Sequence, residues 1–251
     1  MNRSLSRIAL AAAALPLALA LAACDSKEGA GGGASGEKIA PIAAPAGKAW
    51  AEVVTKTPEG GYMMGNPNAP LKVVEFGSLT CGHCAEFAHQ SAAELRDKFV
   101  GSGRVSFEFR NFVRDPVDIT AAQLIRCGAP ESFFPLTEQV FANQEAIIKG
   151  FQAAGEPAIQ AAMKQPEAQR GVALGQVTGL IDFFAARGIA KDQAAQCLSN
   201  PTAATDLARN AQEQGQKFDV QGTPTFLING AKLDANTWPA LKTELESRGA
   251  R

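Results

Sequence analysis

Leu71-Lys72-Val73-Val74-Glu75-Phe76, followed after four residues by Cys81-Gly82-His83-Cys84, is the stretch from which the architecture of this chain is read. The 71–76 run is mostly apolar and rich in valine, which predicts a short strand. Beyond it Phe87, Ala88, Ser91, Ala92, Leu95 and Phe99 recur at helical spacing, with Glu86, Gln90, Glu94 and Lys98 on the polar side. That predicts a helix over roughly 83–99. Two thiols three positions apart at a strand-to-helix junction can exchange a disulfide with a substrate. A cysteine in the first turn faces unpaired backbone N–H groups and the positive end of the helix dipole, both of which favour thiolate. Cys81 is therefore the candidate nucleophile, and Cys84, one turn further in, the resolving thiol. His83 between them can stabilise negative charge on Cys81 by its own charge or by a hydrogen bond; the alternative is a solvent-facing residue with no redox role. Glu75 is the one acid in an apolar strand. Buried beneath the cysteines it would move protons during exchange, whereas on an edge strand it would simply point to water.

Reading outward, 104–110 places Val105, Phe107 and Phe109 on one face and Ser106 and Glu108 on the other, a half-buried strand. Strand, helix and strand form a βαβ unit with a right-handed crossover. The remaining sheet pieces come late: Gly222-Thr223-Pro224-Thr225, a strand over 225–229, a tight turn at Asn229-Gly230, a partner strand over 231–233 and a helix over 237–247. A cis Thr223-Pro224 bond would turn the chain sharply and offer the Thr223 backbone to an extended substrate; a trans proline at a strand entry is the alternative. Between the two groups, 115–217 shows no alternating run. It predicts helices near 118–127, 133–148, 155–164, 169–187, 190–198 and 202–217, a helical insertion that splits the α/β part. Gly171, Gly175 and Gly179, four apart, predict close helix packing.

At the other end, Arg3 and Arg7 precede an apolar alanine- and leucine-rich stretch, which reads as a bacterial secretion signal over 1–23. It closes on Leu21-Ala22-Ala23-Cys24, similar to the lipobox in which the cysteine is lipidated, followed by Asp25, which resembles an inner-membrane retention signal. Glycine, alanine, serine and proline then dominate, so 24–59 is expected to be an anchor and flexible tether. The 251 residues carry 24 basic and 25 acidic side chains, and no basic field points to nucleic acid. Of five cysteines, Cys127 and Cys197 stand alone in helical segments: either they pair across the insertion or both are small buried residues. They form no second close pair with zinc-ligand spacing, and no metal is expected.

Gly65-Asn66-Pro67-Asn68-Ala69-Pro70 before Val73-Val74-Glu75-Phe76, then Cys81-Gly82-His83-Cys84, Phe109-Arg110-Asn111-Phe112 and Gly222-Thr223-Pro224-Thr225-Phe226 together resemble the thioredoxin superfamily. With the insertion, the chain is similar to DsbA-like thiol-disulfide oxidoreductases over about 60–248. The resemblance implies an α/β thioredoxin-like fold in two halves, 60–114 and 218–251, around a helical insertion at 115–217. It also implies Cys81 as attacking thiol, Cys84 as resolving thiol, Glu75 as buried acid, and Thr223 and Pro224 with Gly82 as the substrate-contacting surface. The best-known DsbA proteins carry proline where Gly82 stands and valine where Thr223 stands. Gly-His between the cysteines is similar to protein disulfide isomerase, and threonine before the proline to bacterial isomerases. The implied activity is donation of a disulfide to thiols of exported proteins in the periplasm, with a DsbB-like membrane oxidase as recharging partner and no bound cofactor. A disulfide reductase or isomerase competes with it, although 25–60 is too poor in core-forming residues to supply the dimerisation domain typical of bacterial isomerases. A tethered, non-catalytic peptide-binding protein and a glutathione-dependent superfamily member are the other readings.

Overall fold

The 71–76 run becomes the strand β3 (Leu71–Gly77), and the partners it recruits set the rest of the architecture. The computed structural model describes residues 36–251, so the secretion signal, Cys24 and Asp25 lie outside the described residues. Preceding β3 are β1 (Val54–Lys56) and β2 (Tyr62–Gly65); after it come β4 (Val105–Asn111), β5 (Thr225–Ile228) and β6 (Ala231–Lys232). The six form one sheet in the order β1-β2-β4-β3-β5-β6. β3 runs parallel to β4, with Glu75 opposite Phe109, and antiparallel to β5, with Glu75 opposite Phe226. The helix α1 (Gly82–Glu94) makes the crossover and continues as π-helical turns over Leu95–Val100.

On one face of the sheet, Val73, Phe107 and Phe109 meet α1 and the C-terminal helix α9 (Trp238–Ser247), where Phe87 stacks obliquely on Phe226 at 4.6 Å and Trp238 lies edge-on to Phe99 at 5.6 Å. On the other, Val74, Phe76, Val220 and Leu227 form a smaller cluster with Phe112 and Phe218 packed against it. The expectation of a half-buried second strand is corrected here, because β4 is buried along its whole length. Its polar face is covered and internally paired: Arg110 Nε and Nη2 donate to the two Glu108 carboxylate oxygens at 2.8 and 2.9 Å, Thr57 donates to Glu108 at 2.6 Å, and Arg110 Nη1 reaches Gln214 at 2.9 Å. Paired in this way, the charges tolerate a burial that alternation reads as exposure.

The inserted segment consists of α2 (Pro116–Ile125), α3 (Phe133–Ala142), α4 (Gln144–Met163), α5 (Glu167–Val177), α6 (Leu180–Ala185), α7 (Lys191–Leu198) and α8 (Pro201–Lys217). The helices expected at 133–148 and 169–187 are each two. Asn143, at φ −117°, separates α3 from α4, and Gly179, at φ 75°, separates α5 from α6. Two of the three spaced glycines pack closely, since a Cβ on Gly171 would meet the Leu198 carbonyl oxygen at 2.7 Å and one on Gly175 the Leu198 side chain at 2.9 Å. Gly179 instead supplies a left-handed turn.

The tether expectation for 24–59 is corrected over its described part. Gly36 and Ile39 donate backbone N–H groups to the Ser247 and Gly249 carbonyls at 2.6 and 3.0 Å, and Ile42 to that of Ser102 at 2.9 Å. Trp50, in a short 3-10 turn over Trp50–Glu52, is buried and its indole N–H reaches the Ile42 carbonyl at 2.8 Å. Composition hides this because the segment is held mostly by backbone groups, which any residue supplies.

Candidate active site

The C-terminal end of β3 and the first turn of α1 meet at residues 78–81, so the sequence order strand, loop, helix itself brings the thiols to the sheet's end. Cys81 is the N-cap of α1, with extended backbone (φ −91°, ψ 119°). Cys84 is fully buried and Cys81 is 5% exposed, both as free thiols, while Gly82 and His83 face solvent. The Thr223–Pro224 bond is cis. Pairing of β5 with β3 brings this late loop to the cysteines, and Cys81 Sγ lies 3.2 Å from the Thr223 carbonyl oxygen.

The two sulfurs ionise very differently. The Cys81 thiol is brought down from 9.0 to about 4, first by the hydrogen bond from the Cys84 thiol and then by the backbone N–H groups of Cys84 and His83, which outweigh its partial burial. The Cys84 thiol is driven up by burial, by its role as donor to Cys81 and by the charge of Glu75; the Ser78 backbone N–H only partly offsets this. One thiol is thus held as a nucleophile and good leaving group, the other as a proton donor.

Glu75 is 2% exposed on the central strand, under the cysteines. Burial raises its carboxyl well above the usual range, and the Cys81 charge adds to the effect. Its Oε1 has no hydrogen-bond partner among the described residues. Leaving such an atom unpaired costs about 1–3 kcal/mol, a loss the sheet can carry when the buried Phe109 and Phe226 on either side of it contribute roughly 2 kcal/mol each. A cavity of about 40 Å³ runs from Glu75 past Ser91 and Thr137 to Glu138 on α3.

Two side chains that sequence reasoning did not single out reach the backbone of the 78–81 loop. Asp118, in the first turn of α2, accepts the Leu79 backbone N–H at 2.9 Å and the Ser78 hydroxyl at 2.6 Å. Gln144, the first residue of α4, donates to the carbonyls of Leu79 at 2.8 Å and Cys81 at 3.0 Å. Asp115-Pro116 is a helix-start signal that would have put Asp118 inside the first turn, and Asn143 is a chain break that could have isolated Gln144. Neither signal says what the side chain meets. Cys127 and Cys197 are joined as a disulfide with Cα atoms 5.9 Å apart, tying the end of α2 to α7. His89 is exposed on α1, and among the described residues no three His, Cys, Asp or Glu side chains converge as a metal site.

A family model described as Thioredoxin matches residues 57–247. The chain is similar to a protein-disulfide isomerase from Novosphingobium aromaticivorans, with 35% identity, a TM-score of 0.71, and coverage of 75% of this chain and 97% of that one. It also shares its fold with alpha-DsbA1 of Wolbachia pipientis, at 20% identity, a TM-score of 0.59, and coverage of 77% and 92%. Among curated relatives, a Rickettsia conorii protein, whose name assigns it provisionally as a protein-disulfide oxidoreductase, is 26% identical over 196 residues, 78% of this chain and 62% of the relative. The chain therefore spans about three-fifths of that relative's length. The match over most of its length, on a sheet interrupted by helices between β4 and β5, means that this chain belongs to the thioredoxin family, with a helical insertion between the two parts of the sheet.

Proposed function

We propose that this protein is a thiol-disulfide oxidoreductase that donates the Cys81–Cys84 disulfide to thiols of exported proteins. The observation that carries the reading is the split between the sulfurs, with Cys81 at about 4. A nucleophilic cysteine near 3.5 accompanies strongly oxidising members of this superfamily and one near 7 the reducing ones. A substrate thiolate attacks Cys81 Sγ of the disulfide; the bond to Cys84 breaks, and Cys84 leaves with the electron pair and takes up a proton. Glu75, protonated and buried beneath it, is the residue suited to supply that proton. A second substrate thiolate then attacks the substrate sulfur of the mixed disulfide, and Cys81 departs as a stable thiolate. The substrate loses two electrons and the cysteine pair gains them. Thr223, with its carbonyl beside Cys81, and the open surface over Gly82 receive the substrate backbone, and Pro224 shapes that loop. Exposed His83 supports the Cys81 thiolate through its backbone N–H. A lipid on Cys24, with Asp25 as retention signal, would hold the protein at the periplasmic face of the inner membrane, close to a DsbB-like oxidase that reoxidises the pair.

A second reading, isomerisation of mispaired disulfides, is favoured by the name of the Novosphingobium relative and by Thr223 before the proline. Equilibration of the protein with glutathione decides between them. A reduction potential of roughly −120 to −150 mV is expected for a donor, one near about −180 mV favours isomerisation, and one below roughly −220 mV would sink donation and favour reduction. Loss of activity in Cys81→Ser, measured as oxidation of a reduced protein substrate, separates both from a non-catalytic peptide binder.

A further inference from the structure

The loop that carries Cys81 is gripped on both sides by the helical insertion. From α2 and the residues just before it, Asp118 accepts the Leu79 N–H and Ser78 hydroxyl on separate oxygens, and its Oδ2 also takes the Arg114 N–H at 3.1 Å. Arg114 Nε in turn donates to Ser78 Oγ at 3.0 Å, and Asp115 accepts the Thr80 hydroxyl at 2.8 Å. From α4, Gln144 holds the Leu79 and Cys81 carbonyls with one amide nitrogen. The Cys81 carbonyl also takes the first α1 hydrogen bond, from Ala85 at 3.1 Å, so Gln144 acts on the same group that starts the helix. Ser78, oriented by Asp118, offers its backbone N–H to Cys84. A hydrogen bond accepted by a buried carboxylate is charge-assisted and about twice as strong as a neutral one. The loop's conformation is therefore dictated by side chains outside the βαβ unit.

We propose that Asp118 and Gln144 are positioning residues that hold the 78–81 loop in the geometry that lets Cys81 ionise, and that loss of the Asp118 charge slackens that hold. The proposal rests on the thiol-exchange reading of Cys81. Asp118 is raised to about 6, first by burial and then by the neighbouring Asp115 charge, against the hydrogen bonds from Ser78, Leu79 and Arg114. The charged and titratable groups that face it are Asp115, which accepts the Asp118 backbone N–H at 2.8 Å, the Arg114 guanidinium, which shares the Ser78 hydroxyl with it, and Cys81 at the end of the loop it holds. Above that pH it is a charged acceptor of three hydrogen bonds; below it, protonated, it competes with them as a donor.

Cys81 ionisation in the reduced full chain tests this, read by thiolate ultraviolet absorbance and by alkylation rate against pH. Gln144→Met changes no charge and nearly keeps volume. It should raise the Cys81 midpoint from about 4, a one-unit rise cutting the thiolate fraction at pH 4 about five-fold. The wild-type alkylation profile should bend near pH 6; the bend should persist in Glu75→Gln and vanish in Asp118→Asn. An unmoved midpoint in a Gln144→Met protein with native circular dichroism would overturn the proposal, and so would a wild-type profile with no bend, which needs no variant to fold. Neither readout requires a disulfide partner. A protein that fails to oxidise substrates yet shows both effects would overturn the activity and leave the positioning roles standing.

Discussion

Cys81 and Cys84 are the same residue type one helical turn apart, and their surroundings drive them in opposite directions. Hydrogen bonds given to Cys81 stabilise charge there, while burial and the Glu75 carboxylate penalise it on Cys84. In the reduced protein, alkylation should therefore reach half its limiting rate on Cys81 near pH 4 and leave Cys84 unmodified at neutral pH; mass spectrometry of the labelled peptide would settle this, and labelling of Cys84 at pH 7 would contradict it. For Glu75, the folded-state affinity for a proton exceeds the unfolded one, because its carboxyl is raised by burial. The native chain thus binds more protons than the unfolded chain above the usual carboxylate range, and stability falls as pH rises from there toward the raised value. Glu75→Gln removes that dependence. Its melting temperature relative to wild type should climb from pH 5 to pH 8, and a constant offset across that span would show that Glu75 does not titrate within it. The chemistry of these residues is legible in the sequence, because an acid inside a valine-rich strand and paired thiols at a helix start have few other uses. Asp118 and Gln144 are not, since their partners are backbone groups 39 and 63 to 65 residues away.

At the level of elements, helix and strand type follow from periodicity, while their ends and pairings follow from contacts. β3, α1 and the Asn229-Gly230 hairpin are local features and are readable as such; Asn229 and Gly230 take φ of 51° and 82°, as that dipeptide favours. β2 is four residues long and exists because Tyr62 and Met64 find Phe109 and Phe107 across the sheet, a pairing with no local signature. The break at Asn143 is equally weak, falling between two good helical stretches. The Cys127–Cys197 bond fastens α2 and α7 across 70 residues. Chain-entropy arguments put the stabilisation from closing a loop of that size at about 4 kcal/mol, with engineered losses more often 2–4. Cys127→Ala with Cys197→Ala should lower unfolding free energy by that order in denaturant titration; a loss below about 1 kcal/mol would mean that helix packing alone holds the two ends together.

For the molecule as a whole, the N-terminal boundary is where composition misleads most. A chain cut at residue 47, where the glycine- and proline-rich stretch ends, discards the strap that ties Gly36, Ile39 and Ile42 to the body and removes the acceptor of the Trp50 indole. With roughly 1 kcal/mol for each of these four hydrogen bonds and about 2–4 °C per kcal/mol for a domain of this size, such a chain should melt on the order of 8–16 °C below one beginning at residue 34. Equal melting temperatures in parallel scans would return the strap to the status of a loose leader.

The distance in sequence between Cys81 and the Thr223 carbonyl, 142 residues, has a temporal meaning. A ribosome delivers the reactive thiol long before the loop that flanks it, and β3 waits with one edge bare until β5 arrives. Through that interval Cys24, Cys81, Cys84 and Cys127 are all present while Cys197 is still to come, so the newborn chain carries four unpartnered thiols. An oxidant met in that interval, by taking two electrons, would join Cys127 to one of these thiols before its rightful mate emerges.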